Sequence, residues 1–417
     1  MGKSMKNENE AIIRDEELRW LLNAIQEVAK TGIRPDGLYW RASYTPEDAA
    51  AVALLKSYME QAGMRVFFDA VGNLHGVLQG KSEQVIMAGS HRDTVRSGGK
   101  YDGMLGILSA ICSAGRLYQC LGQPEKTLEV VEIVEEESSR FIASNYIGSR
   151  NLAGTMPPSA FAITDADGIS IQDAAVSAGY QGMPPDRARE DIQHFVELHI
   201  EQGGVLEAEK KQIGIVTSIV GQWGGSVVLR GKQNHAGTTP MKLRQDPVPV
   251  MASFIHDMFS RVKPYEDEMV LTVGKIELFP GSVNVIPDRA SFTFDIRSAS
   301  QELGSRAMRM LEELRDKYSK KIEIEIIPAW EDAPVLLDST GVRDIEELCR
   351  KLGLSYRIMT SGAGHDSQNM AQVYPTNVIF VPSEDGVSHD EREFTKPEDL
   401  QAGLTILSAY LKKLCWE

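Results

Sequence analysis

Val85-Ile86-Met87-Ala88-Gly89-Ser90-His91-Arg92-Asp93 begins as an apolar run and ends on an imidazole and a carboxylate two residues apart. Val85 to Ala88 reads as a buried strand, and in an extended chain residues two apart project to the same face. Around it, Val66 to Ala70, Leu74 to Leu78, Leu128 to Val134 and Phe195 to Ile200 read as further strands rich in Val, Ile and Leu. Between them, Gly103 to Leu121 carries apolar residues at helical spacing behind a glycine-rich turn, which puts Asp102 just ahead of a helix amino terminus. Strands alternating with amphipathic helices predict an α/β fold, a mixed and mostly parallel sheet covered by helices. The polar residues then fall at strand ends and in the loops after them, where open α/β sheets place their ligands.

The texture changes near Gly214. Ile215 to Val220, Ser226 to Gly231, Leu271 to Leu278 and Ala290 to Ile296 read as strands, and Pro247 to Val262 and Glu302 to Tyr318 as helices. This predicts a smaller α+β unit over 215–329, inserted into a larger domain made of 1–214 and 330–417. The alternating pattern returns after Ala329, with a helix over Gly341 to Leu352, a strand over Asn377 to Val381 and a closing helix from Pro397 to Leu414. Two or three domains suit 417 residues at about 100 to 200 residues each.

The balance of 44 Lys plus Arg against 59 Asp plus Glu gives a formal charge of −15, which opposes attraction to nucleic acid or to anionic membranes. Cys112, Cys120, Cys349 and Cys415 show no CxxC spacing and read as free thiols of a reducing compartment. With a polar Met1 to Glu10 and no apolar run near the roughly 20 residues that span a bilayer, the reading is cytoplasmic.

Five segments carry metal-ligand residue types: His91-Arg92-Asp93, Tyr101-Asp102-Gly103, Glu135-Glu136-Glu137, His199-Ile200-Glu201-Gln202 and Ser388-His389. Taken singly, each has an ordinary structural reading as a polar loop, a turn, a solvated acidic stretch or a satisfied core histidine. Their joint occurrence points elsewhere. Two divalent ions about 3.5 to 4 Å apart need a bridging carboxylate, a few terminal His or carboxylate ligands and one carboxylate left over as a base. Asp93 is placed to orient His91 from behind as a supporting partner.

Several motifs carry a family resemblance: Gly89-Ser90-His91-x-Asp93-Thr94-Val95, Glu136-Glu137-x-Ser139-Arg140-Phe141, Glu197 to Gly203, His235-Ala236-Gly237-Thr238-Thr239-Pro240-Met241 and Ser361 to Asp366. By these, over nearly its whole length, the chain resembles M20-type metallohydrolases of the allantoate amidohydrolase and N-carbamoyl-L-amino acid hydrolase branch. The resemblance implies that His91 and His199 hold one metal ion, Glu137 and His389 the other, and that Asp102 bridges them. It further implies Glu136 as general base, and His235, lent across a homodimer, as the donor that stabilises the oxyanion. Gln222, Asn284 and Arg297 fall at its substrate-binding positions, with Arg297 suited to a bidentate grip on a carboxylate. Gln202 supports the metal shell, His365 and Asp366 line the pocket, and His75, His194 and His256 match no family site. The inserted unit is expected to serve as dimerisation and lid domain.

The implied reaction is attack of activated water on a ureido carbonyl of a small ureido-carboxylate, with two ions of Mn²⁺ or Zn²⁺, or Co²⁺ or Ni²⁺, as cofactors. Glu135, Gly148-Ser149-Arg150-Asn151, Ile219-Val220-Gly221-Gln222, Tyr356-Arg357-Ile358-Met359 and Phe380-Val381-Pro382-Ser383 resemble the allantoate branch. That favours allantoate, giving ureidoglycine, ammonia and carbon dioxide, over an N-carbamoyl-L-amino acid or a non-catalytic metal-binding role. Three features depart from the family pattern. Arg92 replaces the usual apolar residue, and strand alternation should point it away from the metals; Ser138 stands where Gly is usual; and Trp223-Gly224-Gly225 is unusual beside Gln222.

Overall fold

The computed structural model describes residues 13–144, 146–180, 187–320 and 322–417. The chain divides into two compact units, Met1–Thr217 with Leu336–Glu417, and Ser218–Val335. Among the described residues the strands of the first stretch are β1 (Arg65–Phe68), β2 (Leu74–Leu78), β3 (Ser82–His91), β4 (Lys126–Ile133), β5 (Ile192–Ile200) and β6 (Ile213–Ile219). The smaller unit contributes β7 (Gly221–Arg230), β8 (Asn234–His235), β9 (Met269–Thr272), β10 (Ile276–Phe279), β11 (Val285–Ile286), β12 (Arg289–Ser298) and β13 (Glu323–Asp332). β14 (Val335–Leu336), β15 (Tyr356–Ser361) and β16 (Thr376–Val381) follow.

The large sheet runs β1-β2-β4-β3-β5-β16-β6-β14, with β15 on β6. It is a mixed sheet whose four central strands, β4, β3, β5 and β16, are parallel neighbours. These strands are buried along most of their length, as expected where helices cover both faces. Helices α1 (Asp15–Thr31), α2 (Pro46–Gln61) and α3 (Met104–Leu121) and the closing helix Pro397–Trp416 share one core with them. α3 corrects one expectation, because its 18 residues reach a mean hydropathy of 1.3, long and apolar enough by composition to cross a membrane. Its apolar character serves the core instead: residues such as Leu105, Ile107, Leu108 and Leu117 are fully buried, and it packs on β3, β5 and the closing helix.

In the smaller unit an antiparallel sheet, β10-β12-β7-β13 with β9 also on β12, packs with helices Pro247–Val262 and Gln301–Tyr318 around Trp223, Phe254, Phe292, Phe294 and Leu311. Three element readings differ from the sequence expectation. The strand expected over Ile215–Val220 of the insert belongs to the large sheet, because β6 pairs with β16. Leu271 to Leu278 is two strands, β9 and β10, which pair with different stretches of β12. β7 starts at Gly221, not Ser226, and runs through Trp223-Gly224-Gly225, while β13 continues across Pro328 by a register shift. A side chain on Gly224 would collide with the Trp330 indole and one on Gly225 with the Ile327 carbonyl, while Gly304 on the helix Gln301–Tyr318 leaves room for the Trp223 ring.

Candidate metal centre

Each of the four central parallel strands delivers a side chain at or just beyond its carboxyl end: His91 from β3, Glu136 and Glu137 after β4, His199 from β5 and His389 after β16. Asp102 comes from the turn leading into α3. These side chains converge, and the Asp102 carboxylate divides them. Its Oδ1 lies 3.3 Å from His91 Nε2 and 3.1 Å from His199 Nε2, and its Oδ2 lies 3.2 Å from His389 Nε2. His389 Nε2 is in turn 3.1 Å from Glu137 Oε1. One oxygen thus faces a buried pair of imidazoles, and the other faces a more open pair, since the His389 side chain is 46 % exposed.

The donor chemistry fits cations. His91 Nδ1 lies 3.1 Å from the Asp93 carbonyl and His199 Nδ1 3.0 Å from the Ile200 carbonyl, so each ring places its proton on Nδ1 and its lone pair on Nε2. The Gly103 N–H donates to His199 Nε2 at 3.2 Å, consistent with that tautomer. Two lone pairs then face Asp102 Oδ1, a buried atom that receives no hydrogen bond. Acceptors gathered at this spacing repel unless positive charge lies among them.

The titration directions express the same demand. Burial opposes charge on His91, yet Glu136, Asp102 and Glu137 hold its pKa well above the ordinary value. Hydrogen bonds to Asp102 and Glu137 raise His389 to about 10. Burial would raise Asp102, but His199, His389 and His91 hold it well below the usual carboxylate range. Burial pushes Glu136 well above that range, opposed by His91 and reinforced by Glu137, Asp366 and Asp93.

The supporting residues are arranged differently from the sequence expectation in one respect. Asp93 meets His91 through its backbone carbonyl, while its carboxylate Oδ1 stands 3.9 Å from the ring. That carboxylate instead accepts the backbone N–H of Glu136 at 3.0 Å and of Glu137 at 3.2 Å. It therefore ties the end of β3 to the loop after β4. Gln202 Nε2 donates to Asp102 Oδ2 at 3.0 Å from a backbone with φ +58°. Glu135 turns away from the centre: its carboxylate accepts the N–H groups of Arg140 and Phe141 and the Ser139 hydroxyl, closing the loop behind Glu136.

Two further carboxylates, one of them inside a quoted motif but given no role from the sequence, hold the site together. Buried Glu393 accepts the N–H of Tyr101 at 2.8 Å, the N–H of Asp102 at 3.0 Å and the Ser388 hydroxyl at 3.1 Å, so it holds the turns carrying Asp102 and His389. Glu197, two residues before His199, accepts Ser90 Oγ at 2.7 Å and the Ser367 N–H at 3.2 Å, linking β5 to the residue before His91. Its strand position relative to His199 could have marked it, whereas Glu393 sits in an acidic run that offers no such signal. His365 packs edge-on against His199 at 4.6 Å between ring centroids and is held neutral by burial and by His199, so it walls the site. His75 and His194 lie in buried hydrogen-bond networks with Glu129 and with Asn377 and Tyr410.

The remaining candidates lie in the smaller unit, in two groups. His235 on β8 stands opposite Val285 on β11, and the Asn284 carbonyl accepts the Ala236 N–H at 3.0 Å. His235 Nδ1 accepts N–H groups of Gly237 and Thr238 at 3.0 and 3.2 Å, which leaves the proton of a neutral ring on exposed Nε2. Gln222 and Arg297 are cross-strand partners on β7 and β12. The Arg297 Nε and Nη2 edge is engaged by Asp295 at 3.1 and 3.0 Å, so the bidentate grip expected of it is spent within the strand along that edge.

The chain is similar to known proteins over nearly its whole length. The allantoate amidohydrolase of Escherichia coli (strain K12) is 40 % identical over 410 residues, 97 % of this chain and 98 % of that one. The N-carbamoyl-L-amino acid amidohydrolase of Geobacillus stearothermophilus is 36 % identical over 397 residues, 93 % and 96 % of the two chains. An amidase of the hydantoinase/carbamoylase family from Burkholderia multivorans superposes with a TM-score of 0.89 at 32 % identity, covering 96 % of this chain and 98 % of its own. Residues 82–413 match the model of peptidase family M20/M25/M40, so the strand that ends on His91, the turn of Asp102 and the loop of His389 all lie within the matched span, and the chain belongs to that family.

Proposed function

We propose that the chain is a di-metal amidohydrolase that cleaves a ureido C–N bond, with allantoate as substrate and ureidoglycine, ammonia and carbon dioxide as products. The observation that carries this reading is the divided environment of Asp102, one oxygen toward His91 and His199 and the other toward His389 and Glu137. His91 and His199 would hold one divalent ion, Glu137 and His389 the second, and Asp102 both. Mn²⁺ and Zn²⁺ suit such imidazole and carboxylate donors, as do Co²⁺ and Ni²⁺. When bound, the ions supply Lewis acidity toward a carbonyl oxygen and a water.

Glu136 is the carboxylate of the cluster left over for proton transfer. Its backbone is held through Asp93, and positive charge beside it favours the ionised form that a base requires. It takes the proton of the attacking water and returns it to the departing nitrogen, which leaves as ammonia. His235, with its donor on Nε2, stabilises the charge that develops on the former carbonyl oxygen. Gln222, Asn284 and Arg297 bind the polar ends of the substrate. β10 is an edge strand with exposed Ile276, Leu278 and Phe279, which suits burial in a homodimer through which His235 reaches its partner's site. A cytoplasmic setting agrees with α3 being mostly buried in the core.

The second reading, N-carbamoyl-L-amino acid hydrolysis, uses the same residues and is supported by relatives only slightly less similar than the allantoate enzymes. Ammonia release from allantoate and from N-carbamoyl-L-amino acids, after loading with Mn²⁺ or Zn²⁺, separates the two. Turnover of allantoate with the higher kcat/KM is expected. No turnover of either by protein shown to carry two ions would defeat the hydrolase reading.

A further inference from the structure

Arg92, the departure from the family pattern inside the first ligand segment, is fully buried, and its side chain is bonded to none of the metal-site groups. Its Nε donates to Asp48 Oδ1 at 2.6 Å and its Nη2 to Asp48 Oδ2 at 3.1 Å, a two-pronged pair with the first turn of α2. Its Nη1 donates to the Gly72 carbonyl at 2.8 Å and stands 3.0 Å from Glu132 Oε1 on β4. Asp48 and Glu132 are as buried as Arg92, and the Glu132 carboxylate receives no hydrogen bond from elsewhere. The backbone of Arg92 is fastened as well, with its N–H on the Ile133 carbonyl at 3.0 Å and its carbonyl on Arg41 Nε at 2.6 Å.

A buried guanidinium is tolerated only with its charge matched and its donors used, and the planar fork meets a carboxylate in a way an ammonium does not. The residues on either side of this clamp are His91 and Asp93. Asp93 in turn carries the amides of Glu136 and Glu137. A shift of this one short segment therefore displaces groups on both sides of Asp102, and misplacements near 1 Å can cost about a hundredfold in rate.

We propose that Arg92 is a positioning residue for the metal centre: its clamp on Asp48, Gly72 and Glu132 fixes the His91–Asp93 segment in the place where both ion positions form. This rests on the ligand assignment above, and the two are tested separately by titrating Mn²⁺ and counting the free ion by electron paramagnetic resonance. Two bound Mn²⁺ per wild-type chain supports the ligand assignment; a failure there counts against that assignment alone. Arg92→Lys keeps the charge and loses the fork, and is expected to weaken Mn²⁺ binding at least tenfold. Ile345→Ala, a truncation in the core helix Ser339–Leu352, is the control for lost stability and is expected to lower Tm with Mn²⁺ affinity within twofold of wild type. Wild-type affinity in folded Arg92→Lys overturns the proposal. Should that variant not fold, the neutral triple variant Asp48→Asn, Arg92→Leu, Glu132→Gln removes the unpaired charges; the proposal expects at least tenfold weaker binding in it, and wild-type affinity overturns the proposal.

Discussion

Glu393 accepts the backbone N–H of Asp102 at 3.0 Å, so the carboxylate that faces both halves of the centre is itself held in place by a second, buried carboxylate. The same Glu393 bonds Tyr101 N–H and Ser388 Oγ, so it fixes the turns of Asp102 and His389 together. Groups behind a ligand typically contribute 10- to 100-fold in metal affinity. Glu393→Ala is expected to weaken metal binding by about that factor, measured by chelator competition. Glu393→Gln, which keeps an acceptor for both N–H groups, should lose clearly less; equal losses would mean that the charge, not the hydrogen bonds, matters.

Ser138 stands in the loop after β4 with φ +50°, in the left-handed region that favours glycine. The resemblance places Gly here, and the structure supplies the physical reason. A non-glycine residue in this region costs about 1 to 2 kcal/mol, part of which glycine returns through the entropy of the unfolded chain. Ser138→Gly is therefore expected to raise stability by about 0.5 to 1 kcal/mol, seen as a higher Tm. A fall in Tm would show that the long Ser144 to Ser138 hydroxyl bond, 3.4 Å, outweighs the strain.

Burial alone would lower the pKa of His75, but the Asp69 carboxylate 3.6 Å away and the hydrogen bond to Glu129 at 2.7 Å overcome that and raise it to about 9. Because the folded value lies above the unfolded value of about 6.5, the stability it adds is fully present below pH 6.5 and is lost as pH rises through about 9. At 1.36 kcal/mol per unit the change is about 3 kcal/mol. The Tm advantage of the metal-free wild type over His75→Asn should be constant at pH 5.5 to 6.5 and shrink toward pH 9.5. An advantage that does not change with pH would contradict the charged assignment.

If His235 acts in the partner's site, His235→Ala and Glu136→Gln should each be inactive alone, and a mixture allowed to exchange subunits should recover activity. Each hybrid dimer then holds one intact site, so recovery approaches a quarter of the wild-type rate at equal proportions. Absence of recovery, with exchange demonstrated by labelled subunits, would place His235 in its own subunit's site.

Much of this arrangement is legible in the sequence because the candidate ligands follow runs with strong strand character. Val85 to Ala88, Leu128 to Val134 and Phe195 to Ile200 each end within a few residues of a candidate ligand, and the structure makes these strands parallel neighbours. What escaped was set by tertiary contacts. The true start of β7 is hidden because its glycines contradict strand propensity, and only tertiary neighbours explain them: the Trp330 indole beside Gly224 and the Ile327 carbonyl beside Gly225. The placement of β6 is hidden because pairing with β16, distant in sequence, decides which sheet it joins. Glu393 carries no local signal, since its work is to accept two N–H groups nearly three hundred residues earlier in the chain. Arg92, which a pattern of family residues makes look disruptive beside His91, is matched by Asp48 from helix α2.

In the proposed mechanism Asp102 gathers two ions while Glu136 remains free to move protons. The most direct measurement loads wild type and Glu136→Gln with Mn²⁺, counts ions per chain and follows ammonia release from allantoate. Two ions are expected in both proteins, with kcat in Glu136→Gln reduced by about 10² to 10⁴. Full activity in Glu136→Gln, or loss of an ion together with the activity, would contradict it.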